Sequence, residues 1–527
     1  MSKEKDHTQG TQKRALIATT AIMFSRVLGL VREQVFAFFF GAGAFLDAFV
    51  VAYRIPNLLR DLAAEGALSQ SFITIFSQKL SQGKKEEAYR LANKTSTFIV
   101  ILMIVIIVIA EIFAPQIVSV VATGFSGQKF DLTVRLMRIL LPYILFVSLS
   151  AILMGMLNSQ KKFFIPFSAS TFGNLTAIFA GLFFAYILSP DYIYNTANKI
   201  INNKPFIAED FLSIANAITG MAIGTLLAGL AQYVFEIPSN VKLGYKPKLD
   251  FKLKDKGLFK ILKLTGPAVI AGAAVQINVL VNTEFASLLQ DGAVSYLNFA
   301  FRFMQFPLGI FGVAIAAASA PVLAQMIIQK KETKFLETIQ SSIQMSLFLS
   351  IPSTIGLMVL GPEIISLIYQ HGQFTPLDTL QTSYALTAYA FGISSYSLIK
   401  IYQPAFLAFH NSKTPMKITM LSILINLGIN AYFIFVLKLS HWALALGTAI
   451  VATSDIILLS YFFRNHLKGV WTKGVFANGL KSLLAALIMG ISIYYSLPIL
   501  KDIFNSGTIL NRLSLVFIPI FIAVPIY

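Results

Sequence analysis

Long apolar runs set the strongest limit on what this chain can fold into. Segments such as 95–113 (STFIVILMIVIIVIAEIFA) and 482–500 (SLLAALIMGISIYYSLPIL) are long enough, or nearly so, to cross the hydrocarbon core of a bilayer as helices. Apolar residues make up 56% of the 527 residues and charged residues only 13%, against about 25% charged residues in soluble globular proteins. The sequence shows no alternating ten-residue pattern of a membrane β-barrel. It therefore predicts an all-α polytopic membrane protein.

The hydropathy pattern predicts fourteen transmembrane helices. They are placed at 15–41, 44–78, 95–120, 133–157, 164–188, 211–237, 264–288, 294–327, 338–361, 381–410, 415–437, 442–463, 478–500 and 509–527. The stretch 189–210 is predicted to be a polar external loop. The lysine-rich stretch 241–263 is predicted to be a cytoplasmic connector, either with an amphipathic helix on anionic lipid headgroups or as a solvated basic linker.

The charge balance follows from this topology. Segments assigned to the cytoplasm hold 28 Lys and Arg, those on the opposite side hold 8, and six lie inside predicted spans. This asymmetry is the positive-inside rule, and it places the N-terminus in the cytoplasm. The net charge of +18 therefore needs no nucleic-acid partner. The chain has no cysteine, which excludes disulfides and thiolate chemistry.

An internal repeat indicates the architecture. The segment GAGAFLDAFVVAYR, which ends at Arg54, resembles DGAVSYLNFAFR, which ends at Arg302, so the second span matches the eighth. An even number of spans per repeat gives parallel repeats, which predicts two six-helix lobes facing one another. The predicted division is an N-terminal lobe at 1–240, a C-terminal lobe at 241–466 and a C-terminal helix pair at 467–527.

Charge inside the first two spans is the main functional signal. The stretch 15–78 carries Arg26, Arg32, Arg54 and Arg60 among apolar residues, and each arginine at mid-span opposes insertion by roughly 2.5–3.5 kcal/mol. Ser25 shares a helical face with Arg32 and is predicted to bind substrate with it, and Asp47 shares a face with Arg54. Pro56 and Gly66 predict a kink or interruption of the second span, because proline removes a backbone donor and glycine weakens a helix.

Two interpretations of these charges remain open. The stretch also contains four carboxylates, so an internal lattice of salt bridges is one interpretation, with Glu33, Asp47 and Glu65 as its structural partners. The other is an anion site, for which Arg26, Arg32 and Arg302 are the better candidates. A guanidinium group suits phosphate or pyrophosphate because its planar fork donates two hydrogen bonds at once.

Amide side chains in the C-terminal half offer a weaker signal. Asn426 and Asn430 lie one turn apart in the eleventh span, with Asn278 and Thr448 in the seventh and twelfth. Their oxygens suit a sodium ion, but interhelical hydrogen bonding is the favoured interpretation. No P-loop, HExxH or nucleophile-elbow motif is present. The sequence therefore predicts a transporter without a catalytic site.

Three motifs carry a family resemblance. FSRVLGLVRE, GAGAFLDAF and RIPNLLRDLAAEGALSQSF resemble the MurJ (MviN) lipid II flippases of the multidrug/oligosaccharidyl-lipid/polysaccharide exporter superfamily. The similarity continues through FRFMQFPLGIFGVAIA and IYQHGQFTPLD to NSKTPMKI. It implies fourteen helices in the bacterial inner membrane and movement of lipid II, an undecaprenyl-pyrophosphate-linked disaccharide-pentapeptide, toward the periplasmic leaflet.

The resemblance also implies roles for single residues. The family's essential arginines fall on Arg26, Arg32, Arg60 and Arg302, and its acidic positions on Asp47 and Glu65. It further implies that the last two helices border a groove for the prenyl tail, and that membrane potential or sodium drives transport. Two positions depart from the family pattern. Phe301 stands where the family commonly has Asp, and Asp61 stands where it often has a basic residue. The eleventh span offers Asn426 and Asn430 in place of a carboxylate, which weakens the expectation of sodium coupling.

Together these observations predict a monomeric lipid II flippase without a cofactor, acting by alternating access among membrane lipids. The alternative is an exporter of another lipid-linked oligosaccharide or of a small molecule. A drug-cation exporter would present acidic cavity residues, whereas the candidate residues here are basic.

Overall fold

The computed structural model describes residues 23–60, 67–201, 210–504 and 508–527, and these residues form helices and no strand. We number the helices in chain order. The helices of the N-terminal half are α1 (23–40), α2 (Ala44–Leu59), α3 (Ala67–Ser81), α4 (Lys85–Ile112), α5 (Ala114–Val121), α6 (Gly127–Leu140), α7 (Tyr143–Ser159), α8 (Phe164–Leu188), α9 (Pro190–Ile201) and α10 (Phe211–Lys242). Those of the C-terminal half are α11 (Lys256–Ser287), α12 (Ala293–Pro307), α13 (Ala314–Ile328), α14 (Glu332–Tyr369), α15 (Pro376–Ala390), α16 (Ile393–Ala408), α17 (Lys413–Ala431), α18 (Trp442–Phe463), α19 (Lys473–Ile503) and α20 (Ile509–Ile526).

The all-α membrane fold is confirmed. In the described part of the chain, 10 helical stretches are long and apolar enough to cross a membrane. A helix satisfies its own backbone hydrogen bonds, which is why apolar segments take this form in lipid. Each of the predicted spans coincides with helical structure where it is described. The count of fourteen membrane crossings stays a prediction.

The chain forms two compact units, Met1–Gln276 and Ile277–Tyr527. Within the first unit, α2 packs on α6, α3 and α4 pack on α7, and α8 packs on α10. Within the second unit, α12 packs on α15, α13 and α14 pack on α16, and α17 packs on α18. The same pattern of helix pairs thus occurs in both units, in the order that the sequence repeat predicts. The predicted boundaries at 240 and 466 stay predictions.

Glycine allows a close helix contact in the first unit. A Cβ atom on Gly224 of α10 would lie 2.3 Å from the Cα of Gly181 on α8. One turn earlier on α10, a Cβ atom on Gly220 would lie 2.1 Å from the backbone nitrogen of Ala185. No side chain fits at such distances, so the two backbones touch. Small residues that permit this approach are typical of helix pairs in membranes.

The prediction of a loop over 189–210 is wrong for its first half. Residues Pro190–Ile201 form α9, while 202–209 lie outside the described residues. Tyr192 and Thr196, one turn apart, are buried, and the Tyr192 hydroxyl donates to the carbonyl of Phe39 in α1. The helix forms because this buried face packs on neighbouring helices. The polar composition of the segment gives no indication of that packing.

The lysine-rich connector is helical only in its last part, and whether that part lies on lipid headgroups stays a prediction. Residues 243–255 are not helical and lie along α4, where Asn93 Nδ2 donates to the carbonyl of Lys246 at 3.1 Å. Lys94 Nζ lies 2.9 Å from Asp255 Oδ2. Burial opposes ionisation of Asp255, but hydrogen bonds from Lys94 and from two backbone N–H groups outweigh it and lower its pKa. Helix begins only at Lys256.

Candidate functional site

Helix α1 presents two of the predicted binding arginines. Arg26 is exposed, and Arg32 is partly exposed with Nη2 3.6 Å from Glu33 Oε1. The backbone carbonyl of Ser25 accepts a hydrogen bond of 3.2 Å from Asn174 Nδ2 of α8. This bond ties the described start of α1 to α8. The Ser25 backbone thus holds the turn that carries Arg26, and the guanidinium group of Arg26 stays accessible.

Asp47 serves as a packing partner within the first unit. Its side chain is only 1% exposed, and its Oδ2 lies 3.0 Å from Lys129 Nζ of α6. The same ammonium group lies 3.9 Å from the centroid of the Phe125 ring. A buried carboxylate needs such a cation, because removing a charge from water is costly. The position favours the salt-bridge interpretation for Asp47, whose cation comes from α6 and was not identified from the sequence.

The end of α2 brings Arg60 to a pair of tyrosines. The Tyr53 hydroxyl donates to the Tyr143 hydroxyl at 3.4 Å, and Arg60 interacts with Tyr143. Arg54, on the same helix, is half-buried. The tyrosines gave no signal in the sequence, because their pairing depends on how α2 and α7 pack.

The predicted interruption of the second span falls where the described residues stop. Pro56 lies inside α2, which ends at Leu59, and α3 begins at Ala67. Residues 61–66, which include Asp61, Glu65 and Gly66, lie outside the described residues. The kink and the role of Glu65 therefore stay predictions.

Arg302 lies on α12 and is exposed. Its neighbour Phe301, which stands where the family resemblance implies an aspartate, packs edge-on against the ring of Tyr389 with centroids 5.5 Å apart. After α12, the chain continues as a π-helical turn over Leu308–Val313, a form that is rare and often occurs at functional sites. In the second unit, the residue next to Arg302 therefore makes an aromatic contact and carries no carboxylate.

The amide side chains come together in the second unit. Asn426 Nδ2 donates to Asn278 Oδ1 and to Asn282 Oδ1, the latter at 2.9 Å. Asn430 Nδ2 donates to Asn282 Oδ1 at 2.8 Å. Asn282 Nδ2 in turn donates to Thr448 Oγ1 at 3.0 Å. All four predicted residues therefore join one network across α11, α17 and α18, and Asn282 is the member that was not predicted.

The network's chemistry does not fit a sodium ion well. Its members are neutral, and within the described residues no carboxylate joins it. Amide N–H donors already occupy the Oδ1 atoms of Asn278, Asn282 and Asn426. The nearby acid, Asp455, accepts from Ser422 further along the same helix pair. The arrangement favours interhelical hydrogen bonding over ion coordination.

The last two helices are anchored to α14 by charge. Lys501 Nζ lies 2.7 Å from Oε1 of Glu363, whose side chain is 8% exposed. Arg512 Nη1 donates to the carbonyls of Ser366 and Gln370 at 3.0 and 2.7 Å, at the C-terminal end of α14. These contacts fix α19 and α20 to the second unit. Many of the other side chains on both helices are apolar and exposed.

Comparison with known proteins gives a consistent result. The family model for lipid II flippase MurJ matches residues 36–515. A probable lipid II flippase MurJ from Rickettsia prowazekii is 33% identical over 98% of this chain and 96% of its own length. A probable lipid II flippase MurJ from Vibrio cholerae is 32% identical over 87% of this chain and 83% of its own length.

Solved structures agree with the sequence comparisons. A lipid II flippase MurJ in an inward closed conformation is similar with a TM-score of 0.76 and 27% identity, covering 97% of this chain and 98% of that one. An inward-facing multidrug resistance MATE transporter of the MOP superfamily shares the fold with a TM-score of 0.70 at 15% identity, over 86% of this chain and 98% of that one. On these grounds the chain belongs to the MurJ lipid II flippase family.

Proposed function

We propose that this chain moves lipid II from the cytoplasmic to the periplasmic leaflet of the bacterial inner membrane by alternating access. The observation that carries the proposal is the family match over 36–515, together with relatives similar over nearly the whole chain. The comparisons favour this function over the export of another cargo. The relatives compared are lipid II flippases, whereas the MATE transporter shares only the fold. The chain acts as a monomer with its N-terminus in the cytoplasm.

Guanidinium groups supply the binding chemistry. The candidate ligands for the pyrophosphate of the cargo are Arg26, Arg32 and Arg302, and each is at least partly exposed on its own helix. Arginine suits this group because two of its N–H donors can engage phosphate oxygens together. Arg60 is also a candidate binding residue, and we assign it a further role in gating, which its interaction with Tyr143 at the end of α2 supports. No covalent step is required, so the protein is a transporter and not an enzyme.

Complementation tests the binding role. A flippase-depleted bacterium receives the wild-type chain or one of Arg26→Ala, Arg32→Ala and Arg302→Ala, with membrane abundance measured for each. We expect wild type to restore growth and each well-expressed arginine variant to fail. Lys79→Ala is the matched control, because Lys79 forms a partly exposed pair with Glu87 at 2.8 Å, and such pairs contribute only about 0–1 kcal/mol. Growth with all three arginine variants would show that these residues are structural.

Membrane potential is the proposed driving force, because the amide network offers sodium no carboxylate within the described residues. Proteoliposomes carrying the protein and labelled lipid II are assayed with sodium replaced by choline at constant ionic strength, and then with the potential collapsed by an ionophore. We expect the rate of lipid II movement to survive the first change and to fall with the second. A rate that follows sodium would overturn this assignment and leave the flippase function intact.

A further inference from the structure

Helix α10 buries a carboxyl group that the proposed transport cycle does not use. Glu236 is fully buried, and its Oε2 accepts a hydrogen bond of 2.8 Å from Ser150 Oγ of α7. Its other oxygen, Oε1, has no hydrogen-bond partner. The residue lies six positions before the end of α10, or about 9 Å along the axis. A single hydroxyl donor is little compensation for a buried negative charge.

The other buried acids show what compensation looks like. In the described part of the chain, three of them form salt bridges: Glu33 with Arg32, Asp47 with Lys129, and Glu363 with Lys501. The fourth, Asp378, accepts hydrogen bonds from Tyr296 and from the backbone N–H and hydroxyl of Thr375. Three of these four meet a cation, and the fourth accepts several hydrogen bonds. Glu236 has neither, which sets it apart within the described structure.

A second unsatisfied oxygen lies one turn along the same helix. Asn240 is fully buried; its Nδ2 donates to the carbonyls of Glu236 and Leu153, and its Oδ1 has no donor. Residues four apart share a helix face, with Cβ atoms about 5–6 Å apart. Glu236 Oε1 and Asn240 Oδ1 are thus two buried acceptors on one face that lack a donor. A protonated carboxyl group would bring a donor to this face.

The surroundings supply no charge in its place. The two helices that pack most extensively on α10, α7 and α8, contain no Asp, Glu, Lys, Arg or His; their ionisable groups are Tyr143 and Tyr186. Charged residues of α2 and α6 also border α10: Arg135 bonds Asn216 near its start, and Arg60 interacts with Tyr143, which packs against Gly229. On α10 itself the ionisable neighbours are Tyr233 and Lys242, and Glu236 contacts neither.

We propose that Glu236 is a proton-binding site of the first unit. The proton resides on Oε1 and is donated to Asn240 Oδ1, while Ser150 donates to Oε2. Every oxygen of the cluster then has a partner. When α7 and α10 separate enough to admit water, the proton passes to water and the carboxylate is left hydrated. The ligand is therefore a proton exchanged with solvent. Whether the proton is bound depends on how closely α7 packs on α10. This inference stands on the geometry of one unit and does not depend on the cargo.

Infrared spectroscopy tests the proposal on the full-length protein in lipid bilayers. The difference between wild type and Glu236→Gln at neutral pH is expected to contain the C=O stretch of a protonated carboxyl group, shifted in D2O. A difference that contains carboxylate bands would overturn the proposal. The comparison is repeated with sodium replaced by choline, and carboxylate bands that move with sodium would assign the site to that ion.

A second pair of variants tests the same carboxyl group with Glu236 in place, which matters if Glu236→Gln fails to fold. Ser150→Ala removes the donor to Oε2, so the C=O stretch of the protonated group moves to higher frequency. Ser148→Ala is the matched control, since Ser148 is buried on the same helix and its hydroxyl has no hydrogen-bond partner. The band is expected to stay in place in that variant. Identical spectra for both serine variants and wild type would contradict the assignment.

Discussion

The two units pack equivalent helix pairs by different means. In the first unit α8 meets α10 through glycine, and the backbones touch near Gly181 and Gly224. In the second unit α17 and α18 are joined by polar side chains, because Asn282 of α11 bonds both Asn430 of α17 and Thr448 of α18. Close apolar packing holds helices by dispersion, whereas amides hold them by hydrogen bonds. A repeat therefore conserves which helices pack together and leaves the chemistry of the contact free to change.

A second pair of equivalent contacts shows the same divergence. Between α2 and α6, Asp47 is paired with a lysine, Lys129. Between α12 and α15, the Tyr296 hydroxyl donates to Asp378 at 2.9 Å, which is a bond from a neutral group. Asp378 also closes a capping box at the start of α15. The first unit depends on a buried charge pair, and its loss should be far more damaging than the loss of the tyrosine bond.

The largest effect is expected when the buried charge pair is broken. Asp47→Ala leaves the Lys129 ammonium group without its carboxylate in a site where Asp47 is 1% exposed, which should cost about 3–5 kcal/mol. Chemical denaturation in detergent measures the change. Tyr296→Phe in the second unit should cost only about 1 kcal/mol, since Thr375 still donates to Asp378.

A double variant sharpens this test. Asp47→Ala with Lys129→Ala removes both charges, and we expect it to be more stable than Asp47→Ala alone, because no uncompensated ion remains. If Asp47→Ala costs no more than Tyr296→Phe, the two contacts are equivalent in energy and the contrast between the units is wrong at this point.

An intermediate effect is expected where the backbones touch. Gly224→Ala places a Cβ atom 2.3 Å from the Gly181 backbone, so α8 and α10 must separate at a cost of about 1–3 kcal/mol. Gly428→Ala on α17 is the control, since no atom lies within 4 Å of the position that its Cβ would take. That change should stabilise the helix by up to about 1 kcal/mol. Thermal unfolding of both variants in one detergent compares them, and equal stability would refute the close-packing argument.

The smallest effect is expected in the amide network. Thr448→Val conserves the shape of the side chain but removes the oxygen that accepts from Asn282 Nδ2. Interhelical hydrogen bonds in membranes contribute about 0.6 kcal/mol on average, so the loss of unfolding free energy should be of that size. Thr453→Val on the same helix is the control, because the hydroxyl of Thr453 lies outside the amide network and bonds Ser395 instead. A loss several times larger would indicate that the network acts as one cooperative unit.

Much of the fold was predictable because lipid leaves an apolar chain few choices. Span-length apolar runs such as 95–113 had to be helical, and the match between Arg54 and Arg302 indicated the repeat. The α9 helix was not predicted because its stability comes from burying Tyr192 and Thr196 against neighbours. A polar composition gives no indication of such burial.

The candidate site was predictable only in its residue types. Arginines at mid-span stand out in any apolar sequence, and Asn278, Asn426, Asn430 and Thr448 are recognisable as a group. Asn282 bonds three of these four, but a single further amide in a span carries no signal in the sequence. The partner of Asp47, Lys129, lies 82 positions away, and nothing in local sequence connects the two.

By itself, the sequence determined that the chain is a helical membrane protein with mid-span arginines and an internal repeat, and it predicted a basic cytoplasmic side. These properties depend on composition and periodicity, to which each residue contributes regardless of its distant neighbours. The tertiary structure alone decided which charges are neutralised: Asp47 by Lys129, Glu363 by Lys501, and Glu236 by no cation among the described residues. That decision depends on which helices pack together, because a buried charge is stable only when a partner from elsewhere in the chain reaches it.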